Sequence, residues 1–440
     1  MTSFGDTIRG RNVLIYGLGL QGGASGDAAF CVRHGAHVRV TDKKTANELA
    51  KTVEMLSPEI ELSLGGHNKI DIEWADYIIK NPGVPDNDPL LIRARKAGKP
   101  VHTSIALLVQ EFRDRVIGVT GTRGKSTTTE LIFRVLKIVY PGEIAQGGNI
   151  PGTSGLALLD EAADARYIVL ELSSFQLAAF HELQVSPHIS VVTNLYPDHL
   201  NRYGSMAAYL HDKQAIAAYQ TEDDVCIYNQ DNVGAADIAA AGHGKKITYT
   251  ASSVVGWPSS LPGAHNRENI AAMAKVASVL GIEQQVAERL AATFTGLPFR
   301  QEIIREVGAI TYINDTTATT PTATIKAIEA ATTPFVLIFG GDTKGLPYDE
   351  LMKTVAASDK LRKIVILGSH NIPDAVEALH KIAKEKIIGT ALSMQEAVQM
   401  ATAAARPGWS VLLSPAFASF DLFKNEFDRG QQFNDAVRAL

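Results

Sequence analysis

Cysteine is almost absent from this chain of 440 residues: Cys31 and Cys226 are its only two. That excludes a disulfide-built scaffold and makes a reducing cytoplasm the expected home. An excess of basic charge is lacking too, since 42 Lys and Arg face 47 Asp and Glu for a net charge of −5. Without a polybasic footprint, neither nucleic acid nor an anionic membrane is expected as a partner. No apolar run approaches the roughly 18–20 residues that span a bilayer, so membrane insertion is not expected. The start, Met1-Thr2-Ser3-Phe4-Gly5-Asp6, has no basic segment ahead of an apolar core, and a signal peptide is not expected. Internal repeats and low-complexity tracts are missing as well. What is there, 45% hydrophobic and 20% charged residues, is the composition of a globular protein. Its length suggests about three domains of roughly 150 residues each. We expect the chain to act as a monomer.

Short β-branched runs recur at 13–16, 37–40, 77–79, 116–119, 168–170, 190–193, 335–339, 363–367 and 411–413, separated by helix-length amphipathic stretches. Continuous apolar runs suit strands buried on both faces of a parallel sheet. Their alternation with helices predicts an α/β protein of βαβ units. The charged stretch Glu111-Phe112-Arg113-Asp114-Arg115 precedes a fresh strand, and Gly296-Leu297-Pro298-Phe299-Arg300 precedes another strand-rich region. They divide the chain into expected domains 1–113, 114–297 and 298–440.

The glycines cluster, and two clusters follow predicted strands. Gly17-Leu18-Gly19-Leu20-Gln21-Gly22 fits G-x-G-x-x-G, with Asp42 at the end of the next strand. Glycines there permit a tight turn and close approach of a pyrophosphate to a helix N-terminus, and the acidic residue would take a ribose hydroxyl. The pattern admits several nucleotides, NAD among them, and also a plain structural turn. The second cluster is Thr120-Gly121-Thr122-Arg123-Gly124-Lys125-Ser126-Thr127. Its backbone N–H groups suit phosphates, Lys125 would reach the β/γ-phosphates, and Ser126 or Thr127 would touch Mg²⁺. Val119 stands at the first glycine position of the strict phosphate-loop pattern, but the strand–loop–helix context fits. Such a loop implies a metal. Glu171, following the strand at 168–170, suits a Mg²⁺ ligand or else a solvated strand end. His199 carries little weight on spacing alone.

These pieces, in this order, resemble the Mur ligases, ATP-dependent amide ligases of peptidoglycan precursor synthesis. The matching runs continue with Gly147-Gly148-Asn149-Ile150, Leu170-Glu171-Leu172-Ser173-Ser174-Phe175-Gln176-Leu177 and Pro197-Asp198-His199-Leu200-Asn201-Arg202. Further along come His265-Asn266-Arg267-Glu268-Asn269, Gly296-Leu297-Pro298-Phe299-Arg300 and Ile313-Asn314-Asp315-Thr316. Gly340-Gly341-Asp342-Thr343-Lys344 and Leu413-Ser414-Pro415-Ala416-Phe417-Ala418-Ser419-Phe420-Asp421 complete the set. The likeness covers essentially the whole chain. Within the family, the Glu171–Leu177, Gly147–Ile150 and closing Ser414-Pro415-Ala416 segments look like the branch that joins D-glutamate to UDP-N-acetylmuramoyl-L-alanine.

The resemblance implies three domains: a Rossmann-like N-terminal domain, a central P-loop ATPase-like domain, and a C-terminal Rossmann-like α/β domain. It implies ATP and Mg²⁺, with two metal sites, and UDP-N-acetylmuramoyl-L-alanine and D-glutamate as the other substrates. Gly19, Leu20 and Gln21 would then lie along the UDP diphosphate, with Asp42, Lys43 and Lys44 toward the uracil, Asn81 and Gly83 as a further wall, and Asn149 near the reacting carboxylate. Gly121, Thr122, Arg123, Gly124, Lys125, Ser126 and Thr127 would hold the ATP phosphates. Asn266, Asn269, Arg300 and Asp315 would lie around adenine, ribose and γ-phosphate. Ser126 and Glu171 would hold a first Mg²⁺, His199 a second, and Lys213 matches a carbamoylated lysine whose carbamate offers oxygen to a hard cation. Thr319, Lys344, Ser419 and Phe420 would receive the amino acid. Arg123, Phe299, Thr317, Asn201 and Glu426 depart from the family pattern. Three other readings stay open at this level: a ligase for L-glutamate or another acidic amino acid, an NAD-dependent oxidoreductase using the first loop, and a catalytically impaired nucleotide-binding homologue.

Overall fold

The computed structural model describes residues 3–19, 22–150, 152–261, 263–343, 346–368, 372–419 and 422–440. Its strands form three sheets. The first holds β1 (Asn12–Tyr16), β2 (His37–Asp42), β3 (Glu61–Leu64), β4 (Tyr77–Lys80) and β5 (Val101–His102) in the order 3-2-1-4-5, all parallel. The second holds β6 (Val116–Thr120), β7 (Ile144–Gly148), β8 (Tyr167–Glu171), β9 (Ile189–Val192), β10 (Val225–Asn229) and β11 (Lys245–Tyr249), ordered 11-10-9-6-8-7 and again parallel. The third holds β12 (Glu302–Val307), β13 (Ile310–Asn314), β14 (Phe335–Gly340), β15 (Leu361–Leu367), β16 (Ile387–Ala391) and β17 (Ser410–Ala416), ordered 12-13-17-14-15-16. Among its strand pairs in the described residues, only the edge pair β12–β13 is antiparallel.

Each predicted strand lies within or against an observed one, because β-branched runs covered by helices on both faces are buried along their whole length. All five residues of β6 and all seven of β17 are buried. Strands the sequence pattern did not single out are mostly edges or polar: β5 has two residues, β7 reads Ile-Ala-Gln-Gly-Gly, and β12 carries Glu302, Arg305 and Glu306.

Two compact units make up the chain. Residues 1–195, 207–253 and 271–287 form the first, which contains the first two sheets around a shared core cluster that includes Ile15, Phe30, Leu108, Leu156 and Leu170. Residues 196–206, 254–270 and 288–440 form the second, whose sheet is packed on both faces, by Phe335, Phe339 and Leu379 on one and by Tyr312, Val398 and Phe433 on the other. In doubly wound sheets, ligands lie beyond the carboxyl ends of strands where the strand order reverses. Here those strands are β1 beside β4, β6 between β8 and β9, and β17 between β13 and β14.

Candidate active site

The loop after β6 is fixed from both sides. Thr122 N donates to the Asn194 carbonyl (2.9 Å) and Arg123 N to Asn194 Oδ1 (2.9 Å). The Arg123 carbonyl accepts from Thr193 Oγ1 (2.6 Å) and Asn194 Nδ2 (3.2 Å). Gly121 has φ +149°, and a Cβ there would lie 1.9 Å from Thr193 Oγ1, so only glycine fits this approach. The loop runs into the helix Lys125–Val139, whose N-cap is Gly124 at φ +80°. The amides of the first helical turn and the helix dipole together favour an anion there.

Two ammonium groups converge on this loop. Lys125 Nζ donates to the carbonyls of Gly121 (3.1 Å) and Thr122 (3.2 Å). Lys213, from the helix Met206–Gln214, is 1% exposed, and its Nζ donates to the same Gly121 carbonyl (2.8 Å) and to Thr120 Oγ1 (3.3 Å). Sequence reasoning on Lys213 alone gives a solvated helix lysine, because the fold, not spacing, carries it across to β6. Two cations on one carbonyl repel, and an anion placed between them, or a carbamate on one, relieves that repulsion.

Glu171 ends β8 in register with Val119, directly beside the start of the loop. It is 4% exposed, and its Oε1 accepts from Asn149 Nδ2 (2.8 Å) while its carbonyl accepts from Asn149 N (2.7 Å). Gly148, at φ +94°, permits that contact, since a Cβ would meet the Glu171 carbonyl oxygen at 2.1 Å. Ser126, Thr127 and Glu171 offer oxygen only, the donor type a hard divalent cation such as Mg²⁺ takes.

A cavity of about 490 Å³ runs within this first unit from the loop after β1 to Asn149, with Leu18, Gly19, Lys44, Asn81 and Gly83 at one end and Asn149, Ser173 and Phe175 at the other. Asp42 works from inside the loop. Its Oδ2 accepts from Leu18 N (2.8 Å) and Gly19 N (3.0 Å), and its Oδ1 from Lys44 N (2.9 Å). Lys43 and Lys44 are exposed. Leu20 and Gln21 lie outside the described residues. A buried contact missed from sequence joins the cavity's two halves: Asp27 Oδ1 accepts from Ser154 Oγ (2.5 Å) and Leu156 N (3.1 Å). Burial raises the Asp27 pKa against the opposing pull of these donors. Polar residues between apolar helix positions were the available signal.

In the second unit, Asn266 and Asn269 share one face of the helix Ala264–Val279 and are hydrogen-bonded to each other (3.2 Å). Asp315, at the end of β13, accepts from Gln301 N (3.2 Å) and Ser414 Oγ (2.9 Å). Arg300 sits between Phe299 (φ +66°) and Gln301 (φ +49°), two left-handed non-glycine residues, a strained turn of the kind concentrated at functional sites. His199 is left-handed too (φ +53°), and its N–H donates to the buried Asp198 (2.9 Å). Thr319 and the buried Ser419 follow β13 and β17. Lys344 and Phe420 lie outside the described residues.

A strand–loop–helix of phosphate-binding form in the middle sheet of three defines a three-domain α/β protein with a P-loop-type centre. Family models match along the same division: the Mur ligase MurD-like N-terminal domain at residues 11–103, the Mur ligase middle domain at 119–257, and the Mur ligase glutamate ligase domain at 299–417. The chain belongs to the Mur ligase family. It is 33% identical to the UDP-N-acetylmuramoylalanine–D-glutamate ligase of Roseiflexus sp. (strain RS-1), over 98% of this chain and 99% of that one. To the enzyme of the same name from Acidobacterium capsulatum it is 34% identical, over 98% and 97%. Among solved structures, UDP-N-acetylmuramate-alanine ligase from Thermotoga maritima matches with a TM-score of 0.62 at 18% identity, over 98% and 99% of the two chains. The MurF ligase of the same organism in complex with ADP matches at 0.60 and 17%, over 100% and 97%. At these identities the structural matches speak for the fold.

Proposed function

We propose that this chain joins D-glutamate to UDP-N-acetylmuramoyl-L-alanine at the expense of ATP, through an acyl phosphate, in the cytoplasm and as a monomer. The observation that carries the reading is the convergence of Lys125 and Lys213 on the Gly121 carbonyl, at a helix N-terminus and beside Glu171. Such a place stabilises the phosphates of a nucleotide. Names shared by full-length relatives at 30–34% identity support the substrate pair.

In this reading residues 1–113 hold the UDP-precursor, 114–297 the ATP phosphates and 298–440 the amino acid. The cavity from Leu18 to Asn149 takes the precursor, with its alanine carboxylate at Asn149. Gly121, Thr122, Arg123, Gly124, Lys125, Ser126 and Thr127 hold the phosphates, while Asn266, Asn269, Arg300 and Asp315 serve the rest of the nucleotide. Phosphoryl transfer asks a protein mainly for positioning and charge neutralisation. Lys125 and the loop amides supply both as the γ-phosphoryl group passes to the carboxylate. The amine of glutamate, held by Thr319, Lys344, Ser419 and Phe420, then attacks the acyl phosphate and phosphate leaves. Mg²⁺, when bound, would neutralise phosphate oxygens, with Ser126 and Glu171 as ligands of one ion and His199 or a carbamoylated Lys213 serving a second.

The decisive measurement is phosphate release that requires both UDP-N-acetylmuramoyl-L-alanine and glutamate, run with D- and L-glutamate. Lys125→Ala should lower kcat by at least about 10³-fold, the scale of a lost transition-state charge contact. Undiminished turnover, or a preference for L-glutamate, would overturn the assignment.

A further inference from the structure

The helix Glu426–Arg438 closes the chain, and Arg429 lies in its first turns with no exposed surface. Its guanidinium donates from Nε to Thr316 Oγ1 (3.0 Å), from one terminal nitrogen to the Thr316 carbonyl (2.9 Å), and from the other to the carbonyls of Phe417 and Ala418 (both 3.2 Å). Among the described residues no carboxylate stands within ion-pair distance of it, although Glu426 and Asp342 act on it from farther away. Burial pushes its pKa down to about 10, so it stays charged at neutral pH.

This is an expensive place for a cation. Desolvation is uncompensated by an ion pair, and the positive end of the helix dipole lies alongside. What the charge does hold is specific. Thr316 follows β13, Phe417 and Ala418 follow β17, and Ala418 exchanges backbone hydrogen bonds with Asp342 after β14 (2.9 Å each way). Through one guanidinium and one bridge, three loop ends are fixed together at the strand-order reversal of the third sheet. Thr316 is itself clamped, because its hydroxyl also donates to the Glu426 carbonyl (2.9 Å).

We propose that Arg429 is a positioning residue for the incoming amino acid: it locks the loop ends after β13, β14 and β17, the first and last of which carry Thr319 and Ser419, and gives them a fixed positive charge that selects a dianionic amino acid. This rests on the reading that these loops receive glutamate. A neutral tie would order the loops as well. A buried cation without an ion pair, offset only from a distance by Glu426 and Asp342, also contributes net positive field where a second carboxylate must be held.

The experiment measures KM for D-glutamate, ATP and UDP-N-acetylmuramoyl-L-alanine, with kcat and the thermal midpoint, in Arg429→Gln and Arg429→Lys. Arg429→Gln should raise the D-glutamate KM about 100-fold, and Arg429→Lys, which keeps the charge but not the planar fork, about 10-fold. The other two KM values should stay within about threefold. An unchanged D-glutamate KM in Arg429→Gln, or a parallel rise of all three KM values, overturns the proposal. Should the Arg429 variants fail to fold, Thr316→Val decides. It keeps side-chain shape while removing the Nε acceptor and should raise the D-glutamate KM several-fold; no change there also overturns the proposal. Absence of glutamate-dependent turnover in the unsubstituted protein would instead remove the functional reading beneath it.

Discussion

At the scale of single residues, the side chains that shape the first unit's cavity act mostly through backbone. Asp42 carries the acidic position of a dinucleotide fingerprint, yet both its oxygens serve the amides of Leu18, Gly19 and Lys44. Asp42→Asn leaves one oxygen for three donors and turns an NH₂ group toward an amide. Hydrogen bonds to a charged group are worth about 1.5–3 kcal/mol, so the loop should loosen. The KM for the UDP-precursor should rise about tenfold with kcat held within about twofold, as steady-state kinetics with varied precursor would show. An unaltered KM would mean that the loop needs no internal clamp. Local geometry was legible where one segment carries it, as in the strand–loop–helix around Gly121 to Thr127. It was not legible where partners come from distant segments, as with Lys213 on Gly121 or Arg429 on Thr316. An arginine among Glu426, Asp428 and Gln431 reads as solvated, and only the packing of that helix against the third sheet and the helix Met394–Ala404 buries it.

Elements repeat the pattern. Most central strands announce themselves as β-branched runs, though β10 and β13, interior in their sheets, were not singled out. Edge strands are short or polar because one side meets solvent or a loop, and the sequence signal weakens accordingly. β5 is the sharpest case, with two residues at the end of the first sheet, and it holds a poorly accommodated group. Both ring nitrogens of His102 are buried without a hydrogen-bond partner among the described residues, and its ring lies 5.6 Å from Tyr77, edge-on. Burial lowers its pKa, which Glu182 opposes and Arg95 reinforces. A free histidine titrates near 6.5. Between that value and the lower folded one, the unfolded chain binds a proton the folded chain refuses, so stability falls as pH falls. His102→Phe removes both the unmet polar atoms and this proton. It should stabilise the fold by about 1 kcal/mol at pH 7 and flatten the fall in stability between pH 7 and 5. Part of the slope should persist, because burial also depresses His67, His181 and His265. Urea titrations at several pH values test it; a destabilised variant with an unchanged slope would refute it.

For the whole molecule, the proposed sites fall unequally on the two compact units. Among the described residues, the cavity proposed for the precursor is lined by the first unit alone, with walls from sheets one and two joined through Asp27 and Ser154, while the loop ends gathered by Arg429 lie in the second. A ligand stabilises the unit that binds it by RT ln(1 + [L]/Kd), about 2.7 kcal/mol at a hundredfold excess over Kd. Chains of several domains need not melt as one. Calorimetry should therefore resolve two transitions. UDP-N-acetylmuramoyl-L-alanine at about 100 Kd should raise one of them by on the order of 5–10 °C and leave the other in place. The transition that moves should be the one lowered by Ser154→Ala, which removes the side-chain donor Ser154 from Asp27 within the first unit. If the precursor instead moved the transition that Thr316→Val lowers, the cavity from Leu18 to Asn149 would not be its seat, even with ligase activity intact.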